Sequence, residues 1–178
     1  SAPPFEISPT WPTWRCVDYG YTAPFASYRI SMDPDGRRYV HGELYQRGLT
    51  ATDQAYAIRN AVADVPIRYT IGDPSMFYAG QGRAPADDYA DAGVVLLPAI
   101  NVRDWNNIRT GLQLREDGKP GLQVFSTCKN LIRTLPALIH DKNRPEDLDT
   151  EQEDHAADAL RYGLSLASVG NRRKREAP

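Results

Sequence analysis

Trp14-Arg-Cys-Val-Asp-Tyr-Gly20 is the stretch of sequence on which the fold depends. It has the pattern of an apolar strand that breaks at a glycine. Residues 28–32 alternate like a second strand, and Asp33-Pro-Asp-Gly36 after them has the proline and glycine positions of a type I turn. Residues 39–46 then form the returning strand. The pattern predicts three antiparallel strands at the start of the chain.

The middle of the chain changes between helical and extended patterns. Residues 50–65 carry apolar side chains at helical spacing, with Thr50 as a candidate N-cap and Pro66 as the end. Residues 67–72 alternate like a short strand and run directly into an Asp-Pro pair. Residues 94–97 are a continuous apolar run, which is typical of a strand buried on both faces.

The last third of the chain predicts three helices and one strand. Asn101 is a candidate cap for the first helix, and Pro136 is the expected end of the second. Thr150 and Glu153 have the spacing of a capping box at the start of the third. The predicted helices span residues 101–112, 127–136 (within a helical pattern that covers residues 127–138) and 150–168, and the strand spans residues 122–125.

An antiparallel meander followed by a helix and a crossover strand is the element order of the RNase H-like fold. We therefore predict an α/β, RNase H-like domain with a central mixed β-sheet, in which three antiparallel N-terminal strands precede parallel strands, flanked by helices. The expected domain covers residues 14–169. A proline-containing lead-in or linker at residues 1–13 and a basic disordered tail at residues 170–178 would flank it.

The composition is that of a soluble globular protein of 178 residues, with 41% hydrophobic and 25% charged residues. No apolar run approaches the roughly 18–20 residues of a membrane span, and the start does not resemble a signal peptide. Cys16 and Cys128 are too few for a disulfide framework, so a cytoplasmic, reducing compartment is the expectation. The net charge of -2 argues neither for nor against a nucleic-acid partner, because bound cations can offset acidic ligands.

Three segments carry residues suited to metal chemistry. Asp18 and Asp73 each stand at the end of a predicted strand, where ligands bind in α/β sheets. His155 and Asp158 lie three residues apart on one face of the last helix, with Asp154 beside them. Each residue also has an ordinary explanation, as a turn-forming aspartate or as part of an acidic first helical turn. Together they form an oxygen-dominated set with one imidazole, which suits two Mg²⁺ or Mn²⁺ ions.

At these residues the sequence resembles the nuclease domain of the large terminase subunit of tailed bacteriophages. The resemblance covers most of the chain, from about residue 14 to residue 168. Its last motif is the most specific, and its end also resembles the Holliday-junction resolvases. The motifs are Val17-Asp-Tyr-Gly20, Ile71-Gly-Asp-Pro74, Cys128-Lys-Asn-Leu-Ile-Arg133 and Asp154-His-Ala-Ala-Asp-Ala-Leu-Arg-Tyr162.

The resemblance implies a metal-dependent endodeoxyribonuclease that cuts concatemeric double-stranded DNA during packaging. By position, Asp18, Asp73, His155 and Asp158 would be catalytic metal ligands, with Asp154 in reserve. It also implies an ATPase domain of the same full-length protein, a portal ring and a small terminase subunit as partners. The location would be the host cytoplasm, transiently at the procapsid portal. No Gly-x-x-x-x-Gly-Lys-Ser/Thr phosphate loop occurs here, so an excised nuclease domain is the favoured interpretation.

Other function classes remain open at this point. Asp18-Tyr-Gly-Tyr-Thr22 also resembles the phosphate loop of actin-like ATPases, although the chain offers only one such domain. A catalytically silent module that docks DNA or the portal is another alternative, because fold does not settle function. Resolvases and transposases are further RNase H-like nucleases.

DNA contact is expected from basic residues around the cleft. Phosphate contacts of this kind give strong salt dependence and little sequence preference. For any single residue, ordinary surface solvation is the competing explanation. The candidates are Arg37 and Arg38 beside the hairpin turn, Arg83 after Asp73, and Lys129 and Arg133.

Overall fold

The computed structural model describes residues 1–61, 63, 65–103, 105–141 and 153–175, without the side chains of residues 136–141 and 166–175. Six strands form one sheet in the order β5-β4-β1-β2-β3-β6. The strands are β1 (Thr13–Asp18), β2 (Phe25–Met32), β3 (Arg38–Gln46), β4 (Thr70–Gly72), β5 (Leu96–Pro98) and β6 (Leu122–Val124). The helices are α1 (Ala51–Asn60), α2 (Pro85–Asp91), α3 (Asn106–Leu112), α4 (Lys129–Asp141) and α5 (His155–Arg175), with a 3₁₀ turn at Pro74–Phe77.

The sheet is mixed, as predicted. β1, β2 and β3 are an antiparallel meander, while β4 runs parallel to β1, β5 parallel to β4 and β6 parallel to β3. Since β3 is parallel to β1, five of the six strands have their carboxyl ends on the same side of the sheet. This side, where those strands end, is the carboxyl edge of the sheet, and the side where they begin is the opposite edge. Asp18 ends β1 at that edge. Crevices at such an edge are where α/β proteins bind ligands.

Helix α5 crosses the face of the sheet formed by β1 and β2. Three alanines of this helix, Ala156, Ala157 and Ala159, are fully buried, as expected for small residues that let a helix approach a sheet closely. At Gly163 a β-carbon would lie 2.7 Å from Ile30 Cδ1 and 2.8 Å from the sulfur of Cys16. The backbone of the helix therefore packs directly against side chains of the sheet, which fixes the position of the N-terminus of α5.

The opposite face of the sheet carries α1 and α2. Thr50 caps α1 through its side chain, as predicted, but the helix ends at Asn60 rather than at Val65. Val65 instead packs with Ile7, Tyr39 and Phe125 in a separate apolar cluster, which overrides the helical spacing.

Strand β5 differs from its prediction. It is an outer strand of the sheet, paired only with β4 among the strands that the structure describes, and Val95 and Leu97 are 73% and 44% exposed. The expected burial on both faces is therefore wrong. A short apolar run does not distinguish an edge strand from a central one, because both have the same local pattern.

Two helix boundaries also differ. Asn101 has a positive φ of 52°, so α3 begins only at Asn106. Helix α4 continues past Pro136 to Asp141. The predicted capping box lies partly outside the described residues, because it includes Thr150. Helix α5 itself begins at His155.

The predicted lead-in contacts the domain. The backbone N–H of Ala2 donates to the carbonyl of Val124, so Ala2 continues the sheet beyond β6. The ring of Phe5 lies edge-on to Phe125, and Trp11 stacks on Tyr39. At the other end, α5 extends to Arg175 and so includes part of the predicted tail. In the described residues, no helix combines the length and apolar character of a membrane span.

Candidate active site

Asp18 and Asp73 stand side by side at the carboxyl edge of the sheet. Val17 pairs with Gly72 in the parallel ladder of β1 and β4. Asp18 is the last residue of β1, and Asp73 follows the last residue of β4, where its side chain caps the 3₁₀ turn by accepting from the backbone N–H of Ser75. The backbone N–H of Asp73 continues this ladder by donating to the carbonyl of Val17 at 3.1 Å. Residues at matching positions of adjacent strands project to the same face, so the two carboxylates share one surface of the sheet. Their strand-end positions were predicted.

Helix α5 brings His155 to the same place. The Nδ1 atom of His155 lies 2.9 Å from Oδ2 of Asp18, within hydrogen-bond distance. Asp154 precedes the helix, with its Oδ1 atom 4.0 Å from the same ring nitrogen. The contact between the helix and the strand end joins the two most separated parts of the predicted site.

Asp158 lies on the same helix, three residues after His155, but its carboxylate has a cationic partner. Oδ1 of Asp158 accepts a hydrogen bond from Nη2 of Arg161 at 2.7 Å. The guanidinium of Arg161 in turn lies over the rings of Trp105 and Tyr162, at 4.7 and 5.1 Å from their centroids.

The electrostatics of the site centre on Asp18, which is only 4% exposed. Burial raises the pKa of Asp18 to about 7, and the negative charges of Asp158 and Asp73 act in the same direction. The bond to His155 opposes this shift, and the same bond raises the pKa of His155 above its usual value. The hydrogen bond between Asp18 and His155 is thus surrounded by further negative charge.

Tyr162 reports the same negative field. Burial raises its pKa first, and the charges of Asp73, Asp18 and Asp158 raise it further. Four groups from three separate segments therefore influence one another electrostatically. A bound cation would relieve this mutual repulsion without protonating the carboxylates.

The residues fit a divalent cation by their chemistry and their charge. Carboxylate oxygens with one imidazole are a ligand set for Mg²⁺ or Mn²⁺, and a desolvated aspartate among like charges favours a cation over water. Within the described ranges, no three His, Cys, Asp or Glu side chains are already grouped as a metal cage.

Lys129 and Arg133 lie at the start of α4, which follows β6 at the carboxyl edge of the sheet. The carboxylate of Glu43 on β3 fixes this helix end by accepting hydrogen bonds from the backbone N–H groups of Asn130 and Leu131. Arg133 donates two hydrogen bonds to Glu153, just before His155. These two candidates therefore lie at the edge that carries Asp18.

Arg83 also lies beyond this edge, in the loop after β4. It is exposed and forms ion pairs with Asp88 and Asp91 of α2, at 3.5 and 2.7 Å. Its guanidinium is thus held by the acidic side of that helix.

Arg37 and Arg38 do not border the site, contrary to expectation. They lie where β3 begins, at the opposite edge of the sheet from Asp18. Arg37 bonds to Asp117 at 2.7 Å, and the guanidinium of Arg38 lies against Gly111 of α3. The order of residues along the chain did not reveal which end of β3 faces the carboxylates.

Two further residues at the site were missed. The motif around Asp158 contains Arg161, whose place three residues after Asp158 is the spacing of a helical ion pair, and this spacing could have identified it. Arg47 follows β3 at the same edge as Asp18 and donates to the carbonyl of Thr22 at 3.1 Å. No local pattern marks Arg47, because its position depends on the pairing of the strands.

No family model matches the chain, and no curated protein sequence does either. The nuclease domain of the P22 large terminase superposes on it with a TM-score of 0.59 at 21% identity, over 94% of this chain and 87% of that domain. The fold is that of large terminase nuclease domains. It is RNase H-like, as the strand order predicted, and these neighbours match the family that the motifs resemble.

Two other solved structures agree with this fold. The large terminase of the thermophilic bacteriophage D6E gives a TM-score of 0.69 at 19% identity, over 92% of this chain. The chain spans only 41% of that protein. The large terminase nuclease of the thermophilic phage G20c, with bound zinc, gives 0.56 at 16% identity, over 90% of this chain and 82% of that one.

Proposed function

We propose that the chain is a divalent-metal-dependent endodeoxyribonuclease, the nuclease domain of a phage DNA-packaging terminase. The observation that carries the proposal is the meeting of Asp18, Asp73 and His155 at one edge of the sheet. Asp18 is a buried, hydrogen-bonded carboxylate next to a second strand-end carboxylate, and the capping of the 3₁₀ turn by Asp73 does not explain why Asp18 and His155 lie beside it. The fold shared with the P22, D6E and G20c proteins supports the same reading.

The proposed metal ligands are Asp18, Asp73, His155 and Asp158, with Asp154 as an additional candidate. Two Mg²⁺ or Mn²⁺ ions at such a site would supply an activated water and charge neutralisation for phosphodiester hydrolysis. The zinc bound by the G20c nuclease shows that this fold accommodates a divalent cation in that protein.

The chain's own residues would orient and bind the substrate. The backbone ladder of β1 and β4 fixes the spacing of Asp18 and Asp73, and the bond to Asp18 fixes the ring of His155. Lys129 and Arg133 would hold phosphates of double-stranded DNA, and we add Arg47 to this group. Arg83 would contact DNA only after exchanging its partners on α2. Phosphate contacts of this kind predict little sequence specificity.

We further propose the setting that the family resemblance implies. In it, residues 14–169 act beside the ATPase domain of a longer protein, with the portal and the small terminase subunit as partners. Cutting of concatemeric DNA would take place in the host cytoplasm, at the procapsid portal. The D6E large terminase, of which this chain spans 41%, supports a longer protein.

A cleavage assay tests the proposal. Linear duplex DNA is incubated with the chain and Mn²⁺ or Mg²⁺, and D18N and D73N are compared with D117N. Asp117 is an exposed aspartate at the opposite end of the sheet, so D117N controls for the substitution itself. We expect cutting by the wild type and D117N only, and none with EDTA. Cutting that resists EDTA and both active-site substitutions would remove the proposal. A strong preference for four-way junctions over linear duplex would instead indicate a resolvase.

A further inference from the structure

Arg161 lies in an environment that differs from that of the other arginines with carboxylate partners. The side chains of Arg161 and Asp158 are only 12% and 18% exposed. In the other arginine ion pairs of the described residues, at least one partner is 50% exposed or more. A pair buried on both sides recovers little stability, because desolvation offsets the attraction between the charges. Its presence beside the acidic site therefore points to another role.

Arg161 makes favourable contacts with some of its atoms, while another of its polar atoms lacks a partner among the described residues. Its Nε atom is buried and has no hydrogen-bond partner in the described part of the chain, which is costly for a charged group. Its Nη2 atom nevertheless reaches Asp158, and its guanidinium lies over Trp105 and Tyr162. The two rings provide a second attachment, because aromatic faces attract guanidinium groups without any carboxylate.

Arg161 acts on a carboxylate of the proposed metal site. Asp158 raises the pKa of Asp18 through its charge, so it belongs to the same electrostatic cluster. An arginine keeps its positive charge at any physiological pH, so it can leave Asp158 only by moving. A cation that needs Asp158 as a ligand must therefore compete with Arg161.

We propose that Arg161 is a built-in competitor for Asp158, a positioning residue that weakens binding of a divalent cation at this carboxylate. The inference rests on the proposed function. When an ion takes Asp158, Arg161 stays attached to the rings of Trp105 and Tyr162. An ion that binds through Asp18, Asp73 and His155 does not compete with Arg161. We therefore expect these three ligands to bind a divalent cation more readily than Asp158 does.

Mn²⁺ binding tests this competition without any measurement of activity. Mn²⁺ is titrated into the wild-type chain, R161Q, R161K and R37Q, and its binding is followed by calorimetry and by the electron paramagnetic resonance signal of unbound Mn²⁺. We expect R161Q to bind Mn²⁺ about tenfold more tightly, the size of effect expected when one nearby positive charge is removed. R161K keeps the charge and should stay within about twofold of the wild type.

R37Q is the matched control. Arg37 is also 12% exposed and also bonds to an aspartate at 2.7 Å, but it lies at the opposite edge of the sheet. Its loss should leave Mn²⁺ affinity unchanged. An equal gain in R37Q and R161Q would mean that net charge alone is responsible and would overturn the proposal.

A double substitution isolates the route through Asp158. The gain of R161Q should disappear in D158N/R161Q, because the released carboxylate is then missing. D158N alone should weaken Mn²⁺ binding far less than D73N does, and this comparison stands even if R161Q fails to fold. A gain that survives in D158N/R161Q, or a loss in D158N as large as that in D73N, would overturn the proposal.

Failure of the inference differs from failure of the proposed function. D18N is titrated beside these proteins. If D18N loses Mn²⁺ binding and R161Q has the same Mn²⁺ affinity as the wild type, the competitor role is wrong and the metal site stands. If neither protein shows Mn²⁺ binding that depends on Asp18, the proposed metal-dependent function fails as well.

Discussion

Nδ1 of His155 lies 2.9 Å from Oδ2 of Asp18, although 137 residues separate the two along the chain. The contact connects the first strand with the last helix, and the packing of that helix on the sheet sets both positions. Trp14 of β1 donates through its indole N–H to the carbonyl of Gly163 at 2.8 Å, which fixes α5 along the strand. The site is thus a consequence of how α5 lies on β1.

We predict that D18N stabilises the chain in EDTA while it abolishes cleavage. Asp18 is buried among the negative charges of Asp73 and Asp158, so a neutral amide of the same shape relieves repulsion. The expected gain is about 1 kcal/mol, in keeping with the stability that active sites give up for function. Urea unfolding of the wild type, D18N and D117N in EDTA measures it. A clear loss of stability in D18N alone would show that its carboxylate serves the fold.

Mn²⁺ should raise the melting temperature of the wild type, because a ligand that binds only the native state stabilises it. The increase should grow with Mn²⁺ concentration and should be absent in D18N and D73N. D117N retains the site and should respond like the wild type. Thermal unfolding in the presence of increasing Mn²⁺ gives the comparison. An equal increase in all four proteins would place the bound ion elsewhere.

G163A tests the packing that places His155. The added β-carbon would lie 2.7 Å from Ile30 Cδ1 and 2.9 Å from Cys16 Cβ, so α5 must move away from the sheet. Overpacking of this kind costs roughly 1–3 kcal/mol, and Mn²⁺ affinity should fall with it. G82A is the control, since nothing lies within 4 Å of its new β-carbon. Unchanged Mn²⁺ affinity in a destabilised G163A would separate the position of α5 from metal binding.

Much of this fold was predictable because it depends on local patterns. The meander of β1, β2 and β3 follows from alternation and one turn, and Asp18 and Asp73 stand at strand ends that a reader of the sequence can find. What failed depends on distant partners. Val65 lies outside the helix in which it was predicted, because it packs in the cluster around Phe125. Arg37 lies at the opposite edge of the sheet, because the direction of β3 decides which of its ends faces the site.

We predict that the free energy of unfolding decreases in acid because of His41. It is buried on β3, its Nε2 lies 2.7 Å from Oγ of Ser31, and burial, followed by the charge of Arg29, lowers its pKa to about 4. The nearby carboxylates of Glu6 and Glu43 also line the adjoining cavity. The unfolded chain binds a proton near pH 6.5 and the folded chain does not, so stability falls as pH drops from 6.5 towards 4.

The loss assigned to His41 is about 2 kcal/mol between pH 7.5 and pH 5. Urea unfolding at the two pH values measures it in the wild type and in H41Q, whose amide does not titrate. H41Q will be less stable at pH 7.5 if it loses the bond to Ser31, so the informative quantity is the difference between the two pH values for each protein. If H41Q and the wild type lose the same amount, other groups cause the acid sensitivity.

DNA binding should depend on Arg47 and Lys129 but not on Arg37. Arg47 and Lys129 are exposed at the edge that carries Asp18, whereas Arg37 is held by Asp117 at the opposite edge. Each phosphate contact contributes about one unit to the slope of log affinity against log salt. R47A and K129A should therefore each reduce that slope by about one and weaken binding of any duplex sequence, while R37A leaves both unchanged. Fluorescence anisotropy of a labelled duplex in Ca²⁺, over a series of salt concentrations, gives the slopes. A reduced slope in R37A with normal slopes in R47A and K129A would place the DNA across the other edge of the sheet, away from the carboxylates.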